Sequence, residues 1–501
     1  MQTKLDKIKI PLLDVKEVGF VKDIRRGIAR VSGLPSCVYG QVVQFSKGSK
    51  GLVMGFNSQE AIVIILGDEQ NISVGDEVVS LAELGSIPVG DGFLGRIVNS
   101  LGEPLDGKGD IIPIADFFPI FREAPGVMER QPITEPLSTG IKIIDLTIPI
   151  GRGQRELIIG DRQTGKSSIG IDTIINQKGS DIICLYCWIG GPQVALRKIL
   201  YTLQQKDALK YTIVVSASAD SSAAEQYLAP YSAAALGEYF MYNGKHVLVV
   251  FDDLTKHAWT YRQMSLLMER SPGREAYPGD IFYLHSQLLE RAGKLKRESG
   301  SGSMTALPIV ETLQGDITGY IQTNLISITD GQIYISSALF HEGFKPAIDL
   351  GLSVSRIGSK AQYPGIKELG KGLRLEYAQY REMLRLTKLR TRLSAEATEK
   401  MRHGQTLQEI LMQPNNTPLS TEEEIILFYA FKRKALEVVS PPALKKFIEE
   451  FFTNLSHEDP ALVNRIREKK DLTADIKMDL DREIDEFFKR LKTEEDKASG
   501  S

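Results

Sequence analysis

The sequence is short of cysteine, of long apolar runs and of any excess of charge. Three cysteines in 501 residues cannot build a disulfide framework, so we expect a reducing compartment. No stretch approaches the roughly 20 apolar residues of a membrane span, and residues 1–15 lack the apolar core of a secretory signal. We therefore expect membrane contact only through partner proteins.

Charge and histidine patterns exclude further classes of protein. The chain has 61 Lys and Arg against 64 Asp and Glu, a formal net charge of −3. This balance argues against a generally basic nucleic-acid coat, and we expect no nucleic-acid partner. The six histidines show no zinc-binding spacing. Cys184 and Cys187 stand three apart on a predicted strand and so point to opposite faces, which predicts core thiols instead of a paired site.

Three regions with different patterns follow one another along the chain. From Val18 to about Glu83, short β-branched runs are divided by glycine-containing turns, which predicts a small antiparallel β-barrel. Apolar strand-like runs then alternate with helical stretches, which is typical of βαβ units on a parallel sheet. Beyond Leu373 the pattern predicts an α-helical bundle. The predicted divisions are a short N-terminal extension over 1–17, the barrel over 18–89, the α/β domain over 90–372 and the helical domain over 373–501.

Two details of the last region predict local structure. Ser420 and Glu423 have the spacing of a helix-capping box. The apolar residues of the final segment recur at helical spacing and predict one buried face: Leu472, Ile476, Leu480, Ile484, Phe487 and Leu491.

One segment of the α/β region fits the phosphate-binding pattern G-x-x-x-x-G-K-[ST]. It follows the strand-like run 156–159 and precedes a predicted helix over 167–176, and this context makes a chance glycine-rich turn a weak alternative. Backbone N–H groups of such a loop face phosphate oxygens; its lysine reaches the terminal phosphates and its hydroxyl binds Mg²⁺. The eight residues are Gly160, Asp161, Arg162, Gln163, Thr164, Gly165, Lys166 and Ser167.

A second element of such a site is the apolar run from His246 that ends at Asp252. A carboxylate in this position holds the metal, here through water, although many buried strands end in Asp as a turn residue. Asp253 is the alternative and is interpreted as a cap of the following turn. Nucleotide hydrolysis also needs a group that activates water, and residues 188–193, at the natural place for it, contain no carboxylate. The sequence thus predicts a site that holds a nucleotide without fast turnover.

These motifs, with the run from Pro149 to Ser167 at their centre, closely resemble the α subunits of F-type ATP synthases. The resemblance covers about residues 18–452 and includes the runs 261–267, 272–280, 323–333 and 351–358. It implies a RecA-like P-loop domain and a ring of alternating α and β subunits around a rotating γ/ε shaft. It also implies Mg²⁺ with ATP or ADP at a non-catalytic site on α, with catalytic sites mostly on β.

The resemblance assigns further residues. Gln163 marks the loop as α-type, and Gly191 stands where α subunits usually have Gln and catalytic β subunits have Glu. Arg356 matches the arginine that α projects into the neighbouring β site, where a guanidinium stabilises charge on the transferring phosphoryl group. Without the resemblance, a surface ion pair would be the preferred interpretation of Arg356.

At the base-binding end the chain departs from the pattern. Phe340 matches the family. Gln413 and Asn415 stand where the family usually has two glutamines, and Lys345 stands in place of Arg. Leu313 also replaces a common Gln. Because Lys lacks the planar fork of Arg, we expect altered stacking and hydrogen bonding to the base.

The resemblance further implies a peripheral place on a proton- or sodium-translocating complex, with a peripheral stalk. We expect the cytoplasmic face of a bacterial inner membrane, in preference to an organelle-encoded subunit. Docking of a δ-type subunit is expected to be altered because the N-terminal segment is short and contains Pro11. Two other functions remain open: a hexameric RNA-translocating P-loop ATPase of the transcription-terminator type and a homohexameric secretion ATPase.

Overall fold

A computed structural model describes residues 17–499, apart from 58, 68, 389–394 and 438–440. Over these residues the chain folds into an N-terminal β-barrel, a central α/β domain and a C-terminal set of helices, which confirms the predicted fold class. The predicted extension with Pro11 lies outside the described residues, except for Glu17. In the described part of the chain, no helix has both the length and the hydropathy to cross a membrane.

The barrel consists of six antiparallel strands. They are β1 (Val18–Arg25), β2 (Ile28–Ser32), β3 (Gln41–Phe45), β4 (Lys50–Phe56), β5 (Glu60–Leu66) and β6 (Glu77–Leu84). The order β1-β2-β5-β4-β3-β6 closes on itself, so no edge strand is left unpaired. Alternate side chains point inward, and Val31, Val43 and Val63 are fully buried in the barrel core.

The central domain contains short peripheral strands and a nine-stranded sheet. Its strands are β7 (Ser86–Val89), β8 (Ile97–Val98), β9 (Asp116–Pro119), β10 (Pro136–Leu137), β11 (Ile150–Gly151), β12 (Leu157–Asp161), β13 (Ile182–Ile189), β14 (Thr212–Ala217), β15 (His246–Asp252), β16 (Gly293–Lys294), β17 (Ser303–Thr312), β18 (Gly331–Ile335) and β19 (Val354–Ser355). Its helices are α1 (Lys142–Thr147), α2 (Lys166–Ile175), α3 (Gln193–Gln205), α4 (Ala223–Tyr242), α5 (Leu254–Leu267), α6 (Ile281–Leu289), α7 (Tyr320–Ile328), α8 (Ser337–His341) and α9 (Pro364–Gly370).

Strand order in the large sheet determines which residues meet. The order is β19-β18-β12-β17-β15-β13-β14-β8, with β16 antiparallel to β17 and β19 antiparallel at one edge. All pairs from β18 to β8 are parallel, so their carboxyl ends lie along the same side of the sheet. Only β17 separates β12 from β15. The predicted phosphate loop and Asp252 therefore lie close together.

The C-terminal domain is helical. Its helices are α10 (Leu373–Lys388), α11 (Ala395–Leu411), α12 (Thr421–Lys432), α13 (Pro441–Glu458), α14 (Pro460–Lys469) and α15 (Ala474–Ser499). The predicted capping box is present: the Ser420 hydroxyl accepts from the Glu423 N–H, and the Glu423 carboxylate accepts from the Ser420 N–H. The six apolar residues predicted to share one face, from Leu472 to Leu491, are all buried.

Candidate functional site

The predicted phosphate loop joins β12 to α2. Gly165 has φ +102°, a left-handed conformation that favours glycine, and α2 begins at the next residue, Lys166. At Gly160 a Cβ atom would lie 2.6 Å from the backbone oxygen of Ile335 on β18, so the close approach of these strands requires glycine. The loop thus presents the N-terminal N–H groups of a ten-residue helix, which suits an anion.

A cavity of about 430 Å³ opens at this loop. It is bounded by the loop and α2, by the end of β15, by the segment after α8 and by the segment after α11. Ten of the sequence-predicted residues line it: Gln163, Thr164, Gly165, Lys166, Ser167, Asp252, Phe340, Lys345, Gln413 and Asn415. The structure therefore brings together residues as far apart in the sequence as Gln163 and Asn415.

The first three residues of the motif do not line the cavity. Gly160 is buried in β12. The Asp161 carboxylate accepts hydrogen bonds from the Thr312 hydroxyl at 2.6 Å and the Ser337 hydroxyl at 2.5 Å. Arg162 forms an ion pair at 2.8 Å with Glu311. Asp161 and Arg162 accordingly hold the base of the loop against neighbouring elements.

Lys166 is the first residue of α2, where the loop ends. Its ammonium donates to the carbonyl of Asp161 at 2.6 Å, and the Thr164 hydroxyl donates to the same oxygen at 2.8 Å. Burial lowers the pKa of Lys166, while the negative charges of Glu311 and Asp253 act in the opposite direction. Hydrogen bonds within the loop thus hold its conformation, and Lys166 is the loop cation that lines the cavity.

The two aspartates after β15 have different partners. The Tyr186 hydroxyl donates to Asp252 Oδ2 at 2.6 Å, and both groups are buried. Asp253 caps α5 by accepting from the Lys256 N–H, and its carboxylate also pairs with the Lys256 ammonium at 2.8 Å. Burial raises the pKa of Asp253 to about 6, and Lys256 partly offsets this rise. Asp253 is therefore the capping residue, as the sequence suggests, and both aspartates line the cavity together with Ser167.

At the other end of the cavity, Phe340 and Lys345 lie together, with the Lys345 ammonium 4.8 Å from the ring centroid. The Gln413 side chain is buried and fully engaged by the chain. Its amide nitrogen donates to the carbonyl of Gly140 at 2.7 Å, and its oxygen accepts from the Lys142 N–H at 3.1 Å. Gln413 thus builds the wall of the cavity. Leu313 lies outside it and is 75% exposed.

Arg356 is not part of the cavity. It is exposed and follows β19 at the edge of the sheet. Its N–H donates to the Asp330 carbonyl at 2.8 Å, and its guanidinium donates to the Ile326 carbonyl at 3.3 Å. Among the salt bridges of the described residues, none includes Arg356. The charge of the guanidinium also acts on the buried carboxyl of Glu156, where it opposes the rise in pKa that burial causes.

Sequence reasoning missed the remaining charged and aromatic residues that line the cavity: Asp172, Trp188, Lys256 and Glu311. Burial raises the pKa of Asp172 to about 7, and its hydrogen bond from the Asn416 N–H acts against this rise. Lys256 could have been found from its position three residues after Asp253, where a side chain on the same helix face can pair with the cap. Glu311 could be found only from the strand order, because it lies opposite Gly160 on β17, the strand next to β12.

Comparisons with known proteins agree along most of the chain. The family model for the ATP synthase alpha/beta family, nucleotide-binding domain, matches residues 140–355. The models for the C terminal domain and the beta-barrel domain of the same family match residues 362–487 and 14–82. The ATP synthase subunit alpha of Petrotoga mobilis (strain DSM 10674 / SJ95) is 47% identical over 479 residues, which cover 95% of both chains.

Proposed function

This chain belongs to the ATP synthase alpha/beta family, and we propose that it is the non-catalytic, regulatory α subunit of the F1 sector of a proton- or sodium-translocating ATP synthase. In this role it binds Mg-ATP or Mg-ADP in the cavity at the phosphate loop. The observation that carries the proposal is the convergence of Lys166, Ser167 and Asp252 on one cavity, with Phe340 and Lys345 at its other end.

The oxygen atoms at the loop suit Mg²⁺, which prefers hard oxygen ligands and retains several waters. The Ser167 hydroxyl would bind the ion directly, and Asp252 would hold one of its waters. The Tyr186 hydroxyl fixes the orientation of the Asp252 carboxylate. When bound, the ion neutralises charge on the phosphate oxygens.

The carboxylates of the cavity support a holding role instead of rapid turnover. Each of the four carboxylates that line the cavity is already engaged by the chain: Asp252 accepts from Tyr186, Asp253 pairs with Lys256, Glu311 pairs with Arg162, and Asp172 accepts from the Asn416 N–H. A general base must reach the attacking water with a group that can accept its proton, and Gly191 offers no side chain for this. The nucleotide therefore stays bound as a structural and regulatory ligand.

Arg356 serves the neighbouring site. Its exposure at the sheet edge supports insertion into a catalytic site on an adjacent β subunit, where it acts as an arginine finger. The assembly is a ring of three α and three β subunits around a γ/ε shaft, with a peripheral stalk. It lies peripherally on the cytoplasmic face of a bacterial inner membrane.

As domain boundaries we propose residues near 90 and 373, supported by the end of β6 at Leu84 and the start of α10 at Leu373.

Equilibrium binding of Mg-ATP to the full chain tests the nucleotide site. Lys166→Gln removes the cation from the loop. Because a hydrogen bond to a charged group is worth about 1.5–3 kcal/mol, we expect affinity to fall by roughly 10- to 100-fold. The control is Lys178→Gln, an exposed lysine paired with Asp207 outside the cavity. Equal affinities for the wild type and Lys166→Gln would contradict the proposal.

A further inference from the structure

Trp188 lies at the end of β13, next to the metal carboxylate of the proposed site. Its Cα is the register partner of Asp252 in the β13–β15 pair. The indole is 5% exposed, lines the cavity together with Lys166 and Ser167, and stacks at 6.4 Å on the ring of Tyr186. A large apolar group thus occupies the volume beside the groups that would hold the phosphates and Mg²⁺.

Trp188 and Gly191 constrain each other. The indole N–H donates to the Gly191 carbonyl at 3.2 Å. A Cβ atom at position 191 would lie 2.1 Å from Cζ2 and 2.5 Å from Cε2 of Trp188, which is far inside van der Waals contact. Gly191 does not have the positive φ found at Gly190, so the requirement for glycine is steric and not conformational. With the indole in place, position 191 can carry no side chain.

The indole is also held from the other side. The Lys256 ammonium lies 5.7 Å from the Trp188 ring centroid and is itself anchored to Asp253 at 2.8 Å. A cation over an indole face is attracted to it, most strongly where water is excluded. The Gly191 carbonyl, the Tyr186 ring and the Lys256 ammonium together fix one orientation of Trp188.

We infer that Trp188 preserves bound Mg-ATP at this site by filling the volume beside Asp252, where it excludes both an attacking water and the side chain that would activate that water. This inference rests on the proposed nucleotide site and adds a positioning residue to it. The lack of a carboxylate after β13 is then only half of the reason for slow turnover. The other half is a tryptophan that leaves no room for one.

The lifetime of bound ATP tests the inference. The full chain is loaded with Mg-ATP, freed from excess nucleotide and followed by the ratio of bound ATP to ADP. We expect Trp188→Ala to shorten the lifetime, because water enters the vacated volume. In Trp188→Ala/Gly191→Glu, the introduced carboxylate takes a proton from a water molecule. The oxygen of that water attacks the terminal phosphorus of ATP, and the bond between this phosphorus and the ADP oxygen breaks. General-base catalysis then gives a rate about 100-fold above that of the wild type.

Controls separate this inference from the proposed function. Trp259→Phe replaces the other tryptophan of the chain, which lies outside the cavity, and should keep the wild-type lifetime because an aromatic ring remains beside the Arg162 guanidinium. If both Trp188 variants bind Mg-ATP with wild-type lifetimes, Trp188 is a packing residue only and the inference is overturned. If the wild type binds no Mg-ATP at all, the proposed function itself fails.

Fluorescence gives a second test, in which Trp188 itself is left unchanged. Trp259→Phe leaves Trp188 as the sole tryptophan of the two in the chain. We expect Mg-ATP to shift its emission, and we expect Lys166→Gln in the same background to move the midpoint of this shift to a roughly 10- to 100-fold higher Mg-ATP concentration. If a separate measurement shows that the site is saturated with Mg-ATP and the emission is still unchanged, the placement of Trp188 beside the nucleotide is overturned.

Discussion

Tyr186→Phe isolates the contribution of one hydroxyl to metal-dependent nucleotide binding. In the wild type this hydroxyl donates to Asp252 at 2.6 Å, and Tyr186 and Asp252 are both buried. Removal of the donor leaves a buried carboxylate oxygen without its partner. A hydrogen bond to a charged group is worth about 1.5–3 kcal/mol, so we expect Mg-ATP affinity to fall by roughly 10- to 100-fold. The reason is that Asp252 no longer holds the orientation that the hydrated metal requires.

The assay is isothermal titration with ATP in the presence of Mg²⁺ and in the presence of a chelator. Only the Mg²⁺-dependent part of the affinity should change. Tyr211→Phe is the matched control, because that hydroxyl donates to the carbonyls of Ile174 and Ile175, away from Asp252. An equal loss with and without Mg²⁺ would refute the role assigned to Tyr186 and would place its contribution in folding alone.

Two further variants test the electrostatics of buried groups. Burial raises the pKa of Asp172 from its ordinary 3.8 to about 7, so the folded state favours the protonated carboxyl and loses stability as the pH rises between these values. Asp172→Asn should therefore become more stable than the wild type across this range, by up to about 4 kcal/mol at pH 7 and above, which thermal unfolding at stepped pH would show. A stability difference that does not change with pH would contradict this. Glu238 and Arg291 form a fully buried ion pair at 2.7 Å, so Glu238→Gln should destabilise the chain by about 3–5 kcal/mol, whereas Glu238→Gln/Arg291→Met should recover much of the loss in denaturant unfolding. No recovery in the double variant would show that the cost comes from packing and not from the unpaired charge.

The central sheet and the loop follow from local sequence. The runs 181–185, 211–215 and 246–251 predict strands that the structure contains as β13, β14 and β15. The helix predicted over 167–176 is α2, Lys166–Ile175. These elements could be predicted because a phosphate loop is continuous in sequence, and because strands buried on both faces read as unbroken apolar runs.

The far end of the cavity could not be derived in this way. Phe340 and Gln413 come from separate domains of the chain and more than 150 residues from the loop, so no local pattern places them beside it. Only the family resemblance predicts that Phe340 and Gln413 belong to the site. In the structure Gln413 is a wall residue of the cavity, because the nitrogen and the oxygen of its amide both form hydrogen bonds within the chain.

Trp188 shows a second limit of sequence reasoning. The sequence shows directly that residues 188–193 contain no carboxylate, but it does not show that a side chain fills the volume that a carboxylate would need. That fact depends on the rotamer of Trp188 and on its contact with Gly191, which spacing alone does not determine. Packing of this kind becomes visible only when the side chains are placed.

ATPase activity of the assembled ring tests the central claim, which is that this chain completes a catalytic site on its neighbour. The wild-type chain is assayed alone and together with candidate β and γ partners. The Arg356→Ala variant is assayed with the same partners, and Lys360→Ala, a change of an exposed residue near Arg356, is the control. We predict negligible turnover for the chain alone, rapid turnover for the complex, and a kcat about 10³-fold lower for Arg356→Ala with assembly unchanged. Full activity of the Arg356→Ala complex, or steady turnover by the chain alone, would contradict the account.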